Sequence, residues 1–303
     1  MMWKGVAIIE FSLTILLSSL AIFLLHRVFV NKPPRQFWTN SPLLFALFAA
    51  TFFWASGSIL IAAEWILVSV GLIAIINFPT AVVLHFTAIG TMCIQWFCDS
   101  STVGLFVQRN FYVKFPLKST KYLNYTIIVI NAVPCILAAV FLGLNIITVT
   151  GEIPPVSKEC HSFNCMPTNS YTLRQFSSAV KLTFSVAIVV LGTLLQLVLH
   201  QHKTRFYSSD ELKINKFTNY MFYLRVVIEI VPYVADVILS TTVGQPLGVY
   251  IGPYAVLSAS VQMFTFTLAY FLLTRKQKKK PSEIRSVMST ISRLKKSTDH
   301  QNN

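Results

Sequence analysis

Apolar residues fill seven stretches of this chain, separated from one another by short polar segments. A transmembrane helix needs about 20 mostly apolar residues to cover the hydrocarbon core, and each stretch is long enough. The pattern predicts helices at Gly5–Val30, Ser41–Val68, Thr80–Gln108, Tyr122–Val149, Phe176–Leu199, Phe217–Ser240 and Tyr250–Thr274. The boundary between the second and third is placed by Asn77 and Pro79, because only Glu64 and Asp99 carry charge between Ser41 and Gln108. The sixth stretch is the least apolar, since Arg225, Glu229 and Asp236 lie in it, and counts of five or six spans stay open on that ground. The expected fold is an all-α membrane protein: a seven-transmembrane helix bundle over residues 1–274, followed by a basic tail over 275–303.

Charge adds an orientation. Lys and Arg in short loops stay on the cytoplasmic side. With the amino terminus outside, the inner segments hold Arg27, Lys32 and Arg35, then Arg109, Lys114, Lys118 and Lys121, then Lys203, Arg205, Lys213 and Lys216. The tail adds Arg275, Lys276, Lys278, Lys279, Lys280, Arg285, Arg293, Lys295 and Lys296, and the outer segments hold only Lys4, Lys158 and Arg174. Twenty against three puts the carboxyl terminus in the cytoplasm, so the net charge of +14 reports topology and not nucleic-acid binding. With 54% hydrophobic and 12% charged residues, little is left to clothe a soluble surface. The first stretch follows Lys4 as a secretory signal would, but it is longer than a signal, contains Glu10 and lacks a small-residue cleavage site. It is expected to stay as the first helix.

Cys93, Cys98 and Cys135 fall inside spans, where a free cysteine acts as a small buried hydrophobe. Cys160 and Cys165 lie in the long outer loop Thr150–Thr172, in an oxidising compartment. A disulfide closing that loop is the preferred reading; two free thiols or a bridge elsewhere are the alternatives. The one glycosylation sequon, Asn124-Tyr125-Thr126, falls on the cytoplasmic side and is expected to go unused.

At the inner end of the third span the chain reads Gln108-Arg109-Asn110-Phe111-Tyr112-Val113-Lys114-Phe115-Pro116-Leu117. Arg109 ends a long apolar helix, with Val113, Pro116 and Leu117 at plus four, seven and eight. This resembles the D-R-Y-x-x-[IV]-x-x-P-L signature of G-protein-coupled receptors. The resemblance implies an Arg that helps hold the resting bundle shut and meets a heterotrimeric G protein when the helices part. Arg suits such a site, being always charged and carrying a planar fork of five donors. Gln108 replaces the acidic residue of the signature and Asn110 its aromatic, so no adjacent carboxylate clamps Arg109. The competing reading is an Arg that snorkels to the headgroups.

The same arrangement, with Cys160-His161-Ser162-Phe163-Asn164-Cys165 in the outer loop and Ile251-Gly252-Pro253-Tyr254 opening the seventh span, resembles the nematode serpentine chemoreceptors of class bc. That likeness implies a receptor in the plasma membrane of sensory neurons that reports small molecules through G proteins. Several receptor hallmarks are missing. The second span has no Asp, the seventh no N-P-x-x-Y (Tyr270 is the nearest stand-in), and Leu84 stands where many receptors carry a Cys. The seventh span also has no Lys, which argues against an opsin.

Ionisable residues at membrane depth are costly and point to function. Glu10, His85 and Lys181 are expected near the outer ends, within reach of water. Asp99 lies ten residues before Arg109, about 15 Å along the helix, and Arg225 and Glu229 are similarly deep. These two are four apart and share a helical face, which Asp236 continues. Pro232 between them removes a backbone hydrogen bond and invites a bend. One reading makes the sixth span the moving element with Pro232 as hinge; the other is a self-neutralising structural pair.

Thr91 lies eighteen residues before Arg109, five full turns, and Gln95 falls about 40° off that face. In receptors this stripe lines the ligand cavity. Candidate linings from other spans are Tyr233, Tyr250, Tyr254 and Gln262, with plain packing as the alternative reading of each. With Thr91 there and no carboxylate nearby, a cationic amine lacks its partner and a small, neutral or weakly polar ligand is expected. The polybasic run after the seventh span attracts anionic inner-leaflet lipid, at about 1 kcal/mol per charge near the surface. Ile284, Val287, Met288, Ile291 and Leu294 then recur at helical spacing, as in a membrane-surface helix. No metal, cofactor or enzymatic motif is legible. The rival function is a small transporter or channel using Asp99, Arg225, Glu229 and Asp236, although no internal repeat supports it.

Overall fold

The computed structural model describes residues 4–31, 33–35, 38, 41–73, 78–115, 121–149, 163, 171–201, 209–243 and 254–275. Among them the secondary structure is helical, with no strand. The helices are α1 (Lys4–Asn31), α2 (Pro42–Val70), α3 (Phe78–Lys114), α4 (Lys121–Val149), α5 (Tyr171–Gln201), α6 (Ser209–Arg225), α7 (Val231–Val243) and α8 (Tyr254–Arg275). A π-helical turn, Val226–Ile230, joins α6 to α7 without a break. Six helices are long and apolar enough to cross a membrane: α1, α2, α3, α4, α5 and α8. The rod made by α6, the π turn and α7 is not among them, because the π turn divides it into helical pieces of 17, 5 and 13 residues, each too short to span alone. The chain is thus an all-α protein of multi-pass membrane character.

Local sequence explains most boundaries. Pro42 opens α2 directly after Ser41, a position where its missing N–H costs nothing. Gly71 ends α2 in the left-handed region at φ +86°, and Leu72 N–H folds back onto the Leu67 carbonyl at 3.0 Å. Only Gly takes that conformation without a Cβ penalty. At its C-terminal end α3 runs past Arg109 to Lys114, about 1.7 turns beyond the expected end at Gln108. Nothing in Arg109–Lys114 breaks a helix. The stop comes where Pro116 disfavours the α conformation of the residue before it, Phe115.

α3 is the central helix. It packs against α2, α4 and α5 and touches α6, while α1 closes the ring by packing on both α2 and α8. Arg27, Arg109 and Arg275 lie at one end of the bundle, called here the basic end. The core of this half joins Leu25, Phe48, Leu105, Phe106, Phe217 and Phe266. Tyr270 packs edge-on against Phe48 at 4.8 Å and Phe217 at 5.1 Å, tying α2, α6 and α8 together. At Gly192 of α5 a Cβ would sit 2.1 Å from the Phe222 ring, so only glycine lets α5 and α6 come this close. Large apolar side chains such as Ile9, Phe53, Ile128, Ile136 and Val186 are exposed around the outside, as expected of a surface whose solvent is lipid.

Candidate functional site: a cavity above a buried ionic cluster

A cavity of about 320 Å³ opens in the half of the bundle away from the basic end. That is the low end of the ~300–1,000 Å³ span of small-molecule sites. One wall is apolar, built by Phe11, Trp54, Ile61, Trp65, Met92 and Trp96. The other is polar and comes from α5, the rod and α8: Lys181, Glu229, Tyr233, Asp236, Tyr254 and Gln262. Thr91 and Gln95 lie on the α3 side. Five of the six expected lining residues therefore meet in one space; the sixth, Tyr250, lies outside the described residues. The five-turn spacing from Arg109 identified the α3 face because α3 is regular from Phe78 onward.

Two expectations about this region change. Carboxylates do border the cavity: Glu229 and Asp236 reach it from the rod, which the third span alone could not reveal. Lys181 lines the cavity too, with its ammonium 5.2 Å from the centre of the Tyr233 ring. His85, expected within reach of water, is fully buried between α3 and α4, where it hydrogen-bonds the Asn145 side chain at 3.0 Å. Among the cysteines, Cys93 and Cys98 are buried as expected, but Cys135 on α4 faces outward. Cys160 and Cys165 lie outside the described residues.

Below the cavity floor, toward the basic end, the charges close on each other. The Arg225 guanidinium, 1% exposed, donates to Asp99 of α3, to Glu229 at 2.6 Å and to Thr102 Oγ1 at 3.0 Å. The expected i,i+4 pair on the rod therefore exists, and Asp99, 2% exposed, joins it from another helix. Glu229 also accepts from Gln95 Nε2 at 3.2 Å and lies 3.9 Å from Lys181 Nζ. Two carboxylates and two cations thus cancel within one cluster. This is the condition under which buried charges persist, since an unpaired one costs several kcal/mol. Glu229 belongs both to the cavity wall and to the α3–rod tether.

The rod is irregular where it meets this cluster. Pro232 has no N–H to offer the Ile228 carbonyl four residues back. Ser258 Oγ of α8 donates to that oxygen at 2.6 Å instead. The π turn Val226–Ile230 lies immediately before, a distortion often found at functional sites. Sequence pointed to Pro232 as a bend; the donor from α8 had no local signal.

At the basic end Arg109 is 5% exposed, with its guanidinium carbon 5.9 Å from the centre of the Tyr112 ring. Val113 is buried beside it. Asn110 Nδ2 donates to the Leu191 carbonyl of α5 at 3.0 Å, fixing the rotation of α3 against α5. Arg109 is thus enclosed by protein side chains. Pro116 and Leu117 lie outside the described residues. No family model matches this chain and no curated protein matches it.

Proposed function

We propose that the protein is a G-protein-coupled chemosensory receptor that binds a small, uncharged ligand in the 320 Å³ cavity and signals by rearranging its helices. On this reading the rod Ser209–Val243 is a seventh span, the amino terminus is outside, and the basic tail lies in the cytoplasm on anionic inner-leaflet lipid. The plasma membrane of a sensory neuron is the proposed location, in keeping with the resemblance to nematode chemoreceptors. Positive charge at one end of the bundle, loop after loop, supports the orientation.

One observation carries the proposal: Glu229 is shared between the cavity wall and the Asp99–Arg225 link that ties α3 to the rod. A ligand that pulls Lys181 or Gln95 away from Glu229 changes the balance of the cluster. The tether then loosens at the π turn, where the helix already lacks regular hydrogen bonding. Parting of α6 from α3 at the basic end would open the buried Arg109 to a heterotrimeric G protein. This central ionic link supplies the restraint that Gln108, in place of an acidic residue, cannot give.

The test is expression in a reporter cell, with a panel of volatile and soluble small molecules and a G-protein readout. Responses are expected to vanish in Arg109→Ala at equal surface level. Persistence of the responses in that variant would remove Arg109 from the coupling. The buried ionic cluster between cavity and basic end also favours a second reading, a transporter or channel that passes a substrate or protons along these charges. Flux or conductance in proteoliposomes without any G protein would support it over the receptor.

A further inference from the structure

The polar wall of the cavity has a bias in its hydrogen-bonding capacity. Its carboxylates are occupied: Glu229 receives Arg225 at 2.6 Å and Gln95 at 3.2 Å, and Asp236 lies against the Tyr254 hydroxyl. Three of its hydroxyl protons are committed as well, Thr91 to the Thr87 carbonyl at 3.0 Å, Ser258 to Ile228 at 2.6 Å and Tyr233 to the Ser178 carbonyl at 3.0 Å. Two donors remain. Lys181 Nζ, with 27% of its side chain exposed, has only the Glu229 oxygen at 3.9 Å, beyond hydrogen-bond reach, and the Tyr233 ring. Gln262, on a residue 1% exposed, directs its side chain at the Glu229 carboxylate without Nε2 closing a well-formed hydrogen bond.

Both donors border the same carboxylate, so they converge on one corner of the space. The opposite wall of three tryptophans, Phe11, Ile61 and Met92 offers no polar competitor of comparable strength. Unused donors at one end and apolar surface at the other select a molecule with an acceptor at one end and hydrocarbon for the rest. Charge narrows the choice further. Lys181 and Arg174 line the cavity together with Glu229 and Asp236, so its charges balance. A carboxylate would meet Glu229 beside the two donors, and an amine would meet Lys181 and carboxylates already engaged.

We propose that the cavity takes an uncharged, mainly apolar carbonyl compound, a small ketone, aldehyde or ester, whose oxygen accepts from Lys181 Nζ and Gln262 Nε2. The inference rests on reading the cavity as a ligand site and names the ligand's class. Accepting the Lys181 proton draws the ammonium from Glu229, the first step of the loosening described above.

Binding to the full-length protein in lipid nanodiscs tests this without any G protein. Trp54, Trp65 and Trp96 line the cavity, so tryptophan emission reports occupancy. The probes are 2-octanone, octanoate and octylamine, matched in chain length, with empty nanodiscs as the partition control. Saturable 2-octanone binding, at least about tenfold tighter than either charged probe, is expected. Lys181→Met should weaken it at least about tenfold, as loss of a hydrogen bond to a charged group implies, and Lys181→Arg should retain most of it. Gln262→Met gives a second measurement should Lys181→Met fail to fold. Equal ketone binding in both Met variants, preference for a charged probe, or no saturable ketone binding overturns the proposal. Ketone binding without G-protein activation would sink the receptor reading alone. Activation by ligands lacking a carbonyl, unaffected in Lys181→Met, would sink this inference alone.

Discussion

Asp99→Asn is the most informative single change, because it keeps the side chain's shape and removes its charge. In the wild type Arg225 donates to Asp99, to Glu229 at 2.6 Å and to Thr102 at 3.0 Å while only 1% exposed. After the change the guanidinium keeps Glu229 and Thr102, but Glu229 must balance both Arg225 and Lys181. The cluster passes from neutral to one net positive charge in a space without solvent. Removing one partner of a buried pair costs about 3–5 kcal/mol when the survivor is stranded. Because Arg225 retains Glu229, a loss of about 2–3 kcal/mol is expected, below that range. At about 2–4 °C per kcal/mol for a protein of some size, the melting midpoint of purified protein in detergent should fall by roughly 4–12 °C. Arg225→Gln alone leaves Asp99 and Glu229 facing each other and should cost more. The double variant should recover about 1–3 kcal/mol relative to the sum of the singles, the coupling expected of residues in contact. In cells, Asp99→Asn should raise ligand-independent signalling at matched surface level. Single effects that add to within about 0.5 kcal/mol, or an Asp99→Asn protein that melts like wild type, would refute the tether.

Ser258→Ala strands the Ile228 carbonyl and should destabilise by about 1–3 kcal/mol; in a Pro232→Ala background the restored N–H at 232 should shrink that penalty, and equal penalties in both backgrounds would dismiss the proline explanation. Gly192→Ala places a Cβ 2.1 Å from the Phe222 ring and should cost about 1–3 kcal/mol by overpacking, partly recovered by Phe222→Ala; thermal melts of the two variants and their combination check this. Arg109→Lys should retain surface level but lose most ligand-evoked signalling, since an ammonium lacks the planar fork, and full signalling from that variant would mean a point charge suffices.

Six of the seven expected spans were legible because each is a long apolar run; the end of α3 was not, since the helix runs past Gln108 to Lys114. The α3 face of the cavity was legible too, since Thr91, Gln95 and Arg109 sit on one regular helix where angular position follows from counting. The i,i+4 relation of Arg225 and Glu229 followed in the same way. What spacing could not supply is how one helix is rotated against another. Asp99 and Arg225 are 126 residues apart, and neither carries a local sign of the other. Lys181 was visible only as a charge near a helix end, and its place on the cavity wall depends on the rotation of α5 against the rod. Pro232 announced a carbonyl in need of a donor, but Ser258 looks like any other serine in an apolar helix. Cys135 shows the same limit from the other side: without the rotation of α4, a lipid-facing cysteine and a buried one read alike.

Seven crossings require the two ends of the chain to lie on opposite sides of the membrane, and everything proposed for signalling depends on that. Epitope tags at each end, probed in intact and then permeabilised cells, measure it directly. The amino-terminal tag should be stained on intact cells and the carboxyl-terminal tag only after permeabilisation. Staining of both tags under the same condition would mean an even number of crossings and would contradict the receptor.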